Sequence, residues 1–305
     1  MSHVHALLFD LDGTLLDTAP DMGAALNRLR LEENLEALDF ETIRPNVSHG
    51  SLRLISLGFP EAGGDEFERL RLRFLDLYAE NVALETRLFP GLEKVLAESE
   101  RLGIPWGVVT NKPGWLTGPL LAHLGLDARA ACVVSGDTLA VRKPHPLPLY
   151  HAAELLEVEP NRCVYVGDAE RDIQAGRAAG MTTIVAAYGY IGTDERLESW
   201  SASGVVRQPL ELLEWIAGGP AALGLDARAA CVFRGDTLAV RKPHPFPLYH
   251  AAELLEVVQN RCLYVVDDER DIHAGRAAGM TTIVADYVDM GTYERLVSLS
   301  DSGVV

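Results

Sequence analysis

The chain has 305 residues, 48% of them hydrophobic, enough to bury one large or two modest cores, so wholesale disorder is excluded. Its formal net charge of -17 repels nucleic acid and anionic membrane, and no stretch approaches the roughly 20 apolar residues of a membrane span, so neither is an expected partner. Any site for an anion must therefore supply its own positive charge, from a metal ion, a lysine or a helix N-terminus.

In chain order, residues 1–10 carry neither a basic n-region nor a long apolar h-region, which predicts a cytoplasmic protein. Residues 6–9 form a short apolar run that stops at Asp10. Similar runs follow at 106–109, 132–134, 163–166 and 183–186, with helical patterns between them. Short apolar runs of this kind are strands buried on both faces, and their alternation with helices predicts an α/β fold with a Rossmann-like, mostly parallel sheet. Residues 17–88 break the alternation with helical patterns at 21–31 and 67–82 around a loop at 45–50, an all-helical insertion after the first strand. The chain returns to the sheet at Phe89-Pro90-Gly91. The core is thus expected at 1–16 and 89–217, where a short leucine-rich helix at 207–216 meets the breaker Ala-Gly-Gly-Pro.

Residues 124–206 recur at 223–305 with a constant offset of 99, and about 66 of the 83 aligned positions are identical, the mark of a duplicated segment. Residues 218–305 are therefore read as a linker and a degenerate copy. Many differences are radical: Gly167 becomes Val266, Ala169 becomes Asp268, Ala187 becomes Asp286, Gly189 becomes Val288 and Asp194 becomes Tyr293. Cys231 and Cys262 are copies of Cys132 and Cys163, and with no paired C-x-x-C spacing all four read as small buried hydrophobes. The copy repeats the later strands, a Lys242-Pro243 loop and Asp267 to Asp271, but nothing in it matches Asp10, Asp12 or Thr110. It cannot hold a second complete site.

Ligands of open α/β sheets sit at the carboxyl ends of the strands. Those ends carry Asp10-Leu11-Asp12-Gly13-Thr14, Thr110-Asn111-Lys112 and Gly167-Asp168, with Lys143 on a loop. Lys143 stands out because the first 217 residues hold three lysines against sixteen arginines. Taken singly, each has a plain structural explanation: an Asp-Gly turn, a helix N-cap, a solvated lysine.

Taken together, they resemble the haloacid dehalogenase-like phosphatases, whose order is D-x-D-G-T, a strand ending in Thr or Ser, a Lys before Pro, and G-D-x-x-x-D. The likeness covers residues 4 to about 217. Thr-Asn-Lys-Pro, Lys-Pro-His-Pro and Tyr-Gly-Tyr-Ile are similar to the bacterial phosphoglycolate phosphatase group and its relative, N-acetylmuramic acid 6-phosphate phosphatase. The resemblance implies that Asp10 is a covalent nucleophile and that Asp12 is the general acid and base. It implies Mg²⁺ held by Asp10, the main-chain carbonyl of Asp12 and Asp168, with Asp172 behind them. It implies phosphoryl oxygens bound by Thr110, Asn111 and Lys143.

The same resemblance makes residues 17–88 a mobile cap that selects substrate, with Arg44, Ser48 and His49 as expected contacts to a small phosphorylated metabolite, 2-phosphoglycolate before N-acetylmuramic acid 6-phosphate. The cap contains no lysine, which excludes Schiff-base phosphonoacetaldehyde hydrolysis, and Asp12 argues against a dehalogenase. A phosphomutase and a catalytically impaired binding protein are the other readings. Nothing in the sequence sets the number of subunits.

Overall fold

The structure is a computed structural model that describes residues 4–192, 195–216, 242–254, 257–266 and 269–284. It divides into two compact units, Met1–Gly219 and Pro220–Val305.

In chain order the first unit runs β1 (Ala6–Phe9), β2 (Leu16–Asp17), α1 (Ala19–Glu32), α2 (Phe40–Ile43), α3 (Gly50–Gly58), α4 (Gly64–Glu80), β3 (Arg87–Leu88) and α5 (Leu92–Arg101). It continues with β4 (Trp106–Val109), α6 (Gly114–His123), β5 (Cys132–Val134), α7 (Leu147–Leu155), β6 (Cys163–Gly167), α8 (Glu170–Ala178), β7 (Thr182–Ala186), β8 (Gly204–Val206) and α9 (Leu212–Ile216). Six strands form one parallel sheet in the order β5-β4-β1-β6-β7-β8. The five strands predicted from apolar runs are present, each within one residue. The sixth, β8, has only three residues, too few for an apolar run to announce it.

Strand β1 is fully buried because its alternating side chains feed two cores. Leu7 and Phe9 join the larger hydrophobic cluster, while Ala6 and Leu8 join a second on the opposite face with Leu149, Ala152 and Tyr165. Truncating Phe9 to alanine removes a fully buried ring and costs about 3–5 kcal/mol. Burial pushes the thiols of Cys132 and Cys163 up to about 12 and 11, so they serve as inert packing groups.

The cap helices α1 to α4 lie between the two short strands β2 and β3, which pair antiparallel, Leu16 with Leu88 and Asp17 with Arg87. Loop 45–50, expected to be irregular, is a 3₁₀ turn, Arg44–His49, leading into α3. Asp21, buried near the start of α1, accepts from the Glu85 and Thr86 main-chain N–H groups and from the Thr86 hydroxyl. A buried carboxylate held by three donors fixes where the chain leaves the cap.

In the second unit, β9 (Leu263–Val266) and β10 (Thr281–Val284) pair in parallel. Leu263 faces Thr281 there as Val164 faces Thr182 in the first unit, so the repeated sequence yields a repeated register. Asp267, Asp268, Cys231 and residues 285–305 lie outside the described residues, and with them the expectations for Asp286, Val288 and Tyr293. Among the described residues, no helix is long and apolar enough to cross a membrane.

Candidate active site

Strands β1, β4 and β6 are neighbours in the sheet, so their carboxyl ends bring Asp10, Thr110 and Asp168 together. Asp10, Asp168 and Asp172 are buried, and one carboxylate oxygen from each lies within 4.8 Å of the others. Burial raises the Asp10 carboxyl above the usual range against the pull of Lys143, and burial together with Asp10 and Asp172 raises Asp168 to about 7. Packing three acids so closely is tolerable only with a compensating cation.

Lys143 is one such cation. Its Nζ lies 2.8 Å from both Asp10 Oδ1 and Asp172 Oδ1 and donates to the Val109 carbonyl and the Tyr165 hydroxyl at 2.8 and 2.7 Å. Its loop is clamped by Asn111, whose side-chain amide donates to the Lys143 carbonyl and whose carbonyl accepts from the Lys143 N–H, at 3.0 and 3.1 Å. Asn111 was expected to bind phosphate. It lines the cavity, but both ends of its amide are used on the lysine loop, because the β4 and lysine loops meet edge to edge.

Asp12 stands apart from the acidic cluster. Its Oδ1 accepts from Lys112 Nζ at 2.9 Å and from the Thr18 hydroxyl at 2.8 Å. Burial alone would lower the Lys112 ammonium, but Asp12 and Tyr78 outweigh it and hold the group charged. Lys112 also lies 4.4 Å from the centre of the Tyr78 ring on α4, which joins the Asp12 carboxylate to the cap. The Thr110 oxygen accepts from the Lys112 N–H at 3.1 Å, leaving its own O–H to donate elsewhere.

Glycine is needed where the backbone crowds this cluster. Gly13 has φ +83°, and a Cβ there would lie 2.0 Å from Asp168 Oδ2. A Cβ on Gly167 would lie 2.4 Å from the Asp172 Cβ.

The cap closes over these residues to leave a cavity of about 300 Å³, bounded by Asp10, Asp12, Thr110 and Lys112 below and by Ser48, His49 and Tyr78 above. Ser48 Oγ donates to Asp168 Oδ2 at 2.5 Å. Partial desolvation and the nearby Arg171 charge hold the His49 imidazole below its ordinary pKa. Arg44, also expected to meet substrate, is absent from this wall. It lies over the Tyr190 ring, 4.9 Å from its centre, and its Nη1 donates to the Gly189 carbonyl, because its turn of chain packs on the segment after β7. Arg53 likewise bonds Asn46 at the exposed surface.

Arg171 was missed. It lines the cavity, and its Nη2 donates to the Ser48 carbonyl, a core-to-cap bond. Its position held the signal, since the first turn of α8 follows directly on the carboxyl end of β6.

Hard oxygen donors are what magnesium requires, and Asp10, Asp168 and Asp172 each offer a buried carboxylate oxygen within 4.8 Å of the others, so the acidic triad fits a divalent cation.

A cap inserted after the first strand and an acidic cluster at the carboxyl edge of a parallel sheet mark a two-part α/β hydrolase. The chain belongs to the haloacid dehalogenase-like hydrolases, whose sequence pattern matches residues 4–180, with a second match at 215–285. Within them it is 46% identical over 215 residues to phosphoglycolate phosphatase of Xanthomonas campestris pv. campestris, covering 70% of this chain and 97% of that protein. It is 42% identical over 212 residues to N-acetylmuramic acid 6-phosphate phosphatase of Pseudomonas putida, covering 68% of this chain and 94% of that one. The crystal structure of a predicted phosphoglycolate phosphatase from Haemophilus somnus superimposes with TM-score 0.64 at 26% identity, over 70% of this chain and 99% of the other.

Proposed function

We propose that this hydrolase is a magnesium-dependent phosphatase that cleaves 2-phosphoglycolate through an aspartyl-phosphate on Asp10. The observation that carries the reading is the convergence of Asp10, Asp168 and Lys143 at the floor of a cavity that Asp10 and Asp12 both line. The 46% identity to a phosphoglycolate phosphatase supports the substrate.

The Asp10 carboxylate attacks phosphorus, and the bond to the ester oxygen breaks as the aspartyl-phosphate forms. Asp12, fixed by Lys112 and Thr18, gives its proton to the departing alkoxide. In the second half it takes a proton from water, which attacks the same phosphorus and releases phosphate and free Asp10. The Thr110 hydroxyl and the Lys143 ammonium neutralise the phosphoryl oxygens as charge shifts onto them. Asp10, Asp168 and the Asp12 carbonyl would hold Mg²⁺, oriented by Asp172. When bound, the ion screens the Asp10 carboxylate from the dianionic phosphoryl group.

Phosphate release from a panel of phosphorylated metabolites tests this reading. Turnover should favour 2-phosphoglycolate, stop on chelation, and vanish in Asp10→Asn. Equal turnover of many sugar phosphates would count against the substrate, and isomerised phosphosugar in place of free phosphate would indicate a mutase. N-acetylmuramic acid 6-phosphate belongs in the panel as the second reading, supported by the 42% relative.

A further inference from the structure

We propose that Arg171 recognises a carboxylate on the substrate, so that the cavity selects phosphate monoesters bearing a second, carboxylate charge; the proposal rests on the phosphatase reading of the same site.

Four cationic side chains line the cavity: Arg71, Lys112, Arg142 and Arg171. Two are already committed. Arg71 is held by both oxygens of Glu68 at 2.6 and 2.7 Å, and Lys112 by Asp12 at 2.9 Å. Among the described residues, no carboxylate forms an ion pair with Arg142 or Arg171. Arg142 is exposed at the rim, with its Nε donating to the Gly136 carbonyl. Arg171 is deeper, and its charge interacts most strongly with Asp172, Asp10 and Asp168.

Charge balance then decides what Arg171 is for. Lys143 and a bound divalent cation would together balance Asp10, Asp168 and Asp172, so the charge of an incoming phosphoryl group and any second anionic group falls to the other cations of the cavity. Arg171 lines the same cavity as Asp10 without an ion-paired carboxylate of its own among the described residues, in a chain whose overall field repels anions. One Nη2 N–H is used on the Ser48 carbonyl, which leaves the second Nη2 N–H, with its neighbouring nitrogen, as a two-point edge for a planar acceptor. In 2-phosphoglycolate one carbon separates the carboxylate from the ester oxygen, so its partner must lie next to the phosphoryl site. Arg171 lies further in and acts on Asp10 and Asp168, whereas Arg142 is exposed. His49 lines the same cavity and adds a hydrogen-bonding imidazole.

The kinetic test compares 2-phosphoglycolate with 2-hydroxyethyl phosphate, its analogue lacking the carboxylate, on the full chain. Arg171→Gln should lower kcat/KM for 2-phosphoglycolate about 30- to 100-fold, and for the analogue less than about threefold, with Arg171→Lys recovering part of the loss. Equal losses on both substrates would mean that Arg171 only supports the fold, and would overturn the proposal.

Calorimetry with the Mg²⁺-loaded Asp10→Asn protein separates the subsite from the chemistry. There 2-phosphoglycolate should bind at least about tenfold more tightly than inorganic phosphate, and adding Arg171→Gln should erase that difference. A difference that survives Arg171→Gln overturns the subsite. Selective binding that depends on Arg171, with no turnover of any ester by the parent chain, would sink the phosphatase reading and leave the carboxylate subsite standing.

Discussion

Lys143 and Lys242 stand at equivalent places in two nearly identical stretches of sequence, each paired with the aspartate of the following motif and each near a tyrosine hydroxyl. Their surroundings differ. The Lys143 side chain is 1% exposed and its partner Asp172 0%, whereas Lys242 is 45% exposed and Asp271 12%. The ion pair is thus built locally, by the lysine loop and the strand and helix that follow. What turns it into a site is burial beside β1 and β4, which supply Asp10 and Thr110 and remove the water that screens charge. Duplicating a segment copies its local contacts but not the neighbours that once completed it.

The largest expected effect is at Asp10, one of three site positions with no counterpart in the copy. Asp10→Asn should abolish hydrolysis by about 10⁴-fold or more, while Asp271→Asn leaves the full chain within about twofold, both by phosphate release. Next, Lys143→Met should lower kcat about 10²- to 10³-fold and Lys242→Met should not change it measurably. Comparable losses from both lysines would show that the copy takes part in catalysis.

Gly167→Val imports the copy's residue into the working segment, where a Cβ would lie 2.4 Å from the Asp172 Cβ. Displacing Asp172 should lower activity about 10²-fold and stability about 1–3 kcal/mol, read by kinetics and thermal melting. Val266→Gly should restore nothing.

Protonation offers a subtler contrast. Burial raises the Asp168 carboxyl from 3.8 to about 7, so the folded protein binds a proton more tightly than the unfolded chain. That contribution to stability is complete below pH 3.8 and is lost as pH rises to about 7. The metal-free protein should therefore melt a few degrees lower at pH 7.5 than at pH 5, and Asp168→Asn should flatten part of that slope. Magnesium requires the ionised carboxylate, so its stabilisation should grow over the same interval. A slope unchanged by Asp168→Asn would assign the effect elsewhere. The smallest effect belongs to truncation after Ile216, which should leave activity within about twofold and improve solubility. The relatives are matched almost over their whole length by the first 70% of this chain, which supports a self-sufficient first unit.

Much of this was legible in the residues. Strands such as 6–9 and 106–109 announce themselves because a strand buried on both faces needs uninterrupted apolar side chains, and the charged residues that end them mark the functional edge. Asp10 and Asp168 could be picked out for that reason, and Lys143 for the scarcity of lysine in the first 217 residues. Arg44, Asn111 and Arg171 could not be sorted from sequence, since where a long side chain turns depends on elements far away along the chain. Arg44 found Tyr190, Asn111 found the Lys143 main chain, and Arg171 found Ser48, more than a hundred residues away in the first and last cases and about thirty in the second.

The sequence by itself determined the alternation of strands and helices, the single copy of Asp10, and the near identity of the two lysine segments. Only the tertiary structure decided that one of those segments is buried and the other is half open. Local hydrogen bonds and ion pairs follow from residues close in sequence, whereas desolvation follows from which strands lie alongside, and it is desolvation that gives Lys143 and its carboxylates their strength.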